Sequence, residues 1–123
     1  MGDKVDKNNS PIDIKIRCYK FSVDVIKFIS IIDIGRKFQS ILDQFLRSAT
    51  SIGANVVEGK SAHSKRDFIK FYEIALKSAN ETKYWICLLR DGLEIKQLEK
   101  LLKEADEISK VLASIIINTK KSK

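Results

Sequence analysis

His63 is the only histidine in the 123-residue chain, and neither cysteine nor carboxylate stands at metal-ligand spacing around it, so no metal is expected. Cys18 and Cys87 lie far apart among apolar neighbours and read as two reduced, structural thiols. None of the five glycines opens a phosphate-binding loop. Glu58, Glu73 and Glu81 each lie near a cation, which is the reverse of what a general acid with a raised pKa requires. Neither catalysis nor a cofactor is expected. What remains is cationic. Arg66, Lys70 and Lys77 share one side of a helix, with Lys60, His63 and Lys65 in the connector just before it, where backbone amides at a helix start favour anions. Glu73 lies on the same line, so two readings stand: a nucleic-acid-binding stripe for phosphate, or a solvated ladder of ion pairs.

A second polar ridge runs through Arg47, Ser51, Asn55 and Glu58, at steps of four, four and three. As structure, Arg47 and Asn55 would pair with Glu58, Glu81 or backbone across helices or subunits; as function, they would meet phosphate or base edges. The interleaved acidic residues favour the structural use. Phe68, Phe71, Tyr72, Tyr84 and Trp85 have helical spacing that points most of them at a core, with Tyr84 and Trp85 available for a subunit contact.

These residues must be positioned by helices. Between Arg36 and Glu58, apolar residues recur at steps of three and four, and Gly59 can take the left-handed conformation that ends a helix. Ser64 is an N-cap candidate with Asp67 three positions on, and the third helix runs from there to the Asp91-Gly92 stop. A fourth follows from Ile95 to about Asn118. Ile12, Ile14 and Ile16 alternate with charged residues, which alone suggests a short strand, yet no partner strand exists; from Cys18 to about Asp33 the period is helical. Four helices with short connectors pack as an all-α, antiparallel up-down-up-down four-helix bundle. Its expected limits are a flexible segment at 1–13, the bundle at 14–119 and a basic tail at 120–123.

The chain is 44% hydrophobic and 32% charged, with one proline and a net charge of +7. This length suits one domain and argues against a two-domain enzyme. No apolar window is long enough for a membrane span and the first ten residues resemble no secretory signal, so the cytoplasm is the expected address and no membrane contact is expected. Val23, Ile26 and Ile31 lie outside the main stripe of the first helix. They leave it a second apolar face, for which self-association is preferred over overpacking within one protomer.

The run Arg47-Ser48-Ala49-Thr50-Ser51-Ile52-Gly53-Ala54-Asn55-Val56-Val57-Glu58-Gly59 is followed by Ser64-Lys65-Arg66-Asp67-Phe68 and then by Ala75-Leu76-Lys77-Ser78-Ala79-Asn80-Glu81-Thr82. Together they resemble the four-helix-bundle family of 23S rRNA intervening-sequence proteins, over residues 18–117. The resemblance implies four antiparallel helices assembling into a ring, typically a pentamer, with no known enzymatic activity. A related branch, the accessory protein of diversity-generating retroelements, is a basic pentamer that binds nucleic acid and the reverse transcriptase. The expectation is thus a non-enzymatic homo-oligomer, a pentamer on this resemblance, whose basic surface binds RNA or DNA backbone with low specificity. The rival is a structural or adaptor protein whose oligomer binds a protein partner.

Overall fold

The computed structural model describes residues 13–122. The segment expected to be flexible lies outside them apart from Asp13, as does Lys123. Helix α1 spans Ile14–Ile31, α2 Gln39–Lys60, α3 Lys65–Leu93 and α4 Leu98–Lys121, with a 3-10 turn at Arg36–Phe38 ahead of α2. There is no strand among the described residues. Each helix packs on the next and α4 closes on α1, while the backbones of the diagonal pairs α1/α3 and α2/α4 stay apart. This is an all-α four-helix bundle, and its neighbour packing fits an up-down-up-down course.

The period-two run at the start of the chain does not make a strand. Asp13 caps α1 by accepting the Lys15 amide at 2.7 Å, and the core side of the helix is Ile14, Arg17, Cys18, Phe21, Val25 and Phe28. Ile14 is buried and Ile16 is 50% exposed, as helical rather than strand geometry requires. The helical period was masked because one of its core positions is an arginine. Ile12 lies outside the described residues.

Two glycines do not end helices as expected. Gly59 is helical and buried inside α2, where an added Cβ would stand 2.7 Å from ring atoms of Tyr72. It is there because the α3 aromatic presses on the α2 backbone. Gly92 lies in the last turn of α3, and the residue that turns left-handed is Glu94, at φ 57°. Gly35 alone among the described glycines has positive φ, in the turn into the 3-10 segment. The Ser64 cap forms as expected, its hydroxyl accepting the Asp67 amide at 3.1 Å.

The α2/α3 seam is the most extensive in the bundle. Small residues bring the backbones together, and their hydroxyls pair across the gap: Thr82 donates to Ser48 at 3.0 Å and Ser78 to Ser51 at 3.1 Å. On the other side of α2, an added Cβ on Gly53 would sit 3.3 Å from the Cys18 Cβ, so α1 approaches closely there. Burial pushes the Cys18 thiol and the Tyr72 phenol each up to about 12.

Two outcomes follow. Gly59→Ala should lower unfolding free energy by about 1–3 kcal/mol through the clash with Tyr72, whereas Gly92→Ala, with open space around it, should raise it by about 0.5–1 kcal/mol; urea titration of both reads the contrast. Cys18 and Tyr72 keep their protons above 9.0 and 10.0, where the unfolded chain loses them, so stability should be full below that range and fall as pH climbs toward 12. Unchanged melting temperature across that interval would contradict the burial of both groups.

Candidate nucleic-acid interface

Helix α3 is 29 residues long, about 43 Å of rod. Its core line is Tyr72, Ala75, Ala79, Thr82, Ile86 and Leu89. At 100° per residue, Arg66, Lys70 and Lys77 fall directly opposite that line, and all three are exposed. None of the three has an ion-pair or hydrogen-bond partner among the described residues. Glu73, which the sequence places in a ladder with Lys70 and Lys77, instead receives Lys120 of α4 at 3.0 Å. The acidic residue of the line is therefore engaged from the neighbouring helix, and Lys120 adds a cation beside the stripe.

Lys60 and Lys65 are held differently. Lys60 reaches the Asp13 carboxylate at 3.4 Å, and the Lys15 amide, helped by Lys60, holds that carboxyl below its ordinary value. Lys65 donates to the Ser122 carbonyl. His63 is exposed in the connector. A shallow hollow lined by Lys65, Arg66, Ile69, Lys70 and Glu73 marks the start of the stripe. The sequence missed Lys120, because which helix end meets α3 depends on the register of α4.

The Arg47 ridge separates into two parts. Ser51 and Asn55 turn into structure: Asn55 Nδ2 donates to the Ser51 carbonyl at 2.8 Å and to its hydroxyl at 3.1 Å, alongside the Ser78 contact. Arg47 and Glu58 are exposed and have no ion-pair or hydrogen-bond partner among the described residues, so within one protomer Arg47 and Asn55 do not pair with Glu58 or Glu81, and Asn55 bonds the backbone of its own helix. Among the aromatics, Phe68 stacks on buried Tyr72 with centroids 4.2 Å apart, whereas Tyr84 is 59% exposed.

The sequence model of the 23S rRNA-intervening sequence protein family matches residues 12–114. The chain belongs to that family. A crystal structure of a protein of unknown function from the S23 ribosomal protein family of Bacteroides thetaiotaomicron is similar, with a TM-score of 0.78 and 40% identity. That similarity covers 85% of this chain and 98% of the other. No curated protein matches.

Among the described residues, no helix is long and apolar enough to cross a membrane, and no cluster of three or more His, Cys, Asp or Glu could hold a metal ion. Cys18 and Cys87 are free thiols.

One constellation went unread in the sequence. Arg17, its side chain 6% exposed, clasps Glu104 through Nε at 2.8 Å and Nη2 at 3.1 Å and reaches Glu107 at 2.6 Å. It ties α1 to α4, and its pKa is raised above the usual arginine value by those carboxylates. The available signal was a lone charge at a core-phase position of α1. Removing the cation takes the Arg17 partner from two carboxylates in the α1/α4 seam, so Arg17→Met should cost about 3 kcal/mol or more, and Arg17→Met with Glu104→Met should cost less than the single change. Urea unfolding of the two variants decides it; equal or greater loss in the double variant would contradict an electrostatic role.

Proposed function

We propose that the protein is a non-enzymatic homo-oligomer of the cytoplasm, a ring and on the family resemblance a pentamer, whose copies present Lys60, Lys65, Arg66, Lys70 and Lys77 as a repeated basic surface for RNA or DNA backbone. One observation carries this reading: Arg66, Lys70 and Lys77 lie on the outermost line of a long helix without acidic partners, while Lys120 engages the intervening Glu73. Phosphate binding draws first on these three unpaired cations, with Lys60 and Lys65 beside them at the start of the line, and it positions a polyanion without reading bases.

Self-association rests on a separate face. Ile16, Tyr19, Val23 and Ile26 recur at steps of three, four and three along the side of α1 away from its core, and Ile16, Tyr19 and Ile26 are 50%, 69% and 52% exposed. Beside them a groove of about 400 Å³ runs between α1 and α2, with Thr50, Gly53, Ala54 and Val57 on its far wall. Because α1 and α3 are diagonal in the bundle, copies meeting through the α1 corner leave every α3 line facing out. Several modest patches held together then act as one, since effective concentration raises affinity without a new type of contact.

The test is charge reversal. Arg66→Glu with Lys70→Glu should reduce binding of a labelled RNA or DNA fragment by at least about tenfold at 50 mM salt, with the particle mass in light scattering unchanged. Retained affinity in the double variant would remove these residues from the interface. A protein adaptor would bind no nucleic acid even at low salt.

A further inference from the structure

Tyr84 lies on the same outward line of α3 as Arg66, Lys70 and Lys77, two helical turns beyond Lys77, or about 10 Å along the axis. A tyrosine on a bundle helix is expected to bury its ring against the core or a neighbouring helix, yet this one is 59% exposed. Its ring is nonetheless held. It meets Trp85 edge-on, with centroids 5.1 Å apart and planes at 71°, and the Trp85 indole is itself fixed by donating to Glu81 at 3.1 Å. A single perpendicular neighbour can occupy at most one face of the phenol, and more than half of the residue is exposed to solvent. The remaining strongly exposed tyrosine, Tyr19, lies on the apolar stripe of α1 at the opposite corner, away from this run of cations.

We propose that Tyr84 is a stacking platform for an unpaired base, so that the α3 line takes single-stranded nucleic acid in preference to duplex. This rests on the basic-surface reading above and names the class of polyanion it accepts. Cations that follow a phosphate backbone, ending in a fixed and exposed aromatic, are the combination that non-specific single-strand binders use. A duplex offers the same phosphates but keeps its base faces stacked inside, so it gains from Arg66, Lys70 and Lys77 and nothing from Tyr84. RNA and DNA strands should bind alike, because phosphate and base face are common to both.

The experiment measures fluorescence anisotropy at low salt with a labelled twelve-nucleotide oligouridylate, the oligothymidylate of equal length, and a twelve-base-pair duplex. Wild-type protein should bind both single strands more tightly than the duplex. Tyr84→Leu should weaken single-strand binding roughly fivefold or more, leave the duplex and the particle mass unchanged, and Tyr84→Phe should restore the affinity because the ring returns. Wild-type affinity in Tyr84→Leu, equal binding of duplex and single strand, or a changed particle mass would overturn the stacking role while the charge-reversal result stands. Binding of none of the three oligomers would sink the basic-surface reading with it.

Discussion

The close approach of α2 to α3 is the constraint on which the remaining structure depends. Ser48, Ser51, Ser78 and Thr82 are small enough to bring the two backbones together, and each hydroxyl oxygen that enters the seam meets another across it. Gly59 extends the contact by leaving room for the Tyr72 ring. With its inner side locked to α2, and packed on α4 as well, α3 has one rotational setting. That setting puts Tyr72, Ala79 and Ile86 inside, and by helical geometry it aims Arg66, Lys70, Lys77 and Tyr84 outward.

Charge is sorted by the same packing. Arg17 is consumed inside the α1/α4 seam by two carboxylates, Lys83 and Lys110 by Asp106, whose carboxyl they hold below its ordinary value, and Arg90 by Asp91 and Glu99. These ties join neighbouring helices or adjacent turns, and the cations in them are not free to meet a phosphate. A net charge of +7 therefore says less about polyanion binding than the position of the cations left over. On α3 the leftover cations are collinear by helical spacing, and Lys120 takes up the carboxylate that stands between them.

The helices, their order and the Ser64 cap were legible in the sequence, since apolar period and cap chemistry are local properties. The start of α1 was not legible, because Arg17 occupies a core position and is acceptable there only through Glu104 and Glu107, far away in the chain. Gly59 looked like a cap for a similar reason: the ring that requires a glycine comes from α3. At the candidate interface the cations were found by spacing, but their freedom was not, since Glu73 chooses Lys120 over its own helix neighbours. Asn55 likewise spends its amide on Ser51 instead of an acidic partner, and the exposure of Tyr84 depends on how α3 is rotated in the bundle.

On the proposed reading, collinear cations repeated across copies bind a phosphate backbone. The salt dependence of the observed binding constant for a long single-stranded nucleic acid tests it most directly, because each phosphate neutralised contributes about −0.7 to the slope of log K against log salt. Five cations of one protomer can give no steeper than about −3.5. A slope beyond about −4 is the predicted result, requiring several protomers on one strand. A slope shallower than about −3.5 would contradict the repetition, and a flat line would contradict phosphate contact altogether.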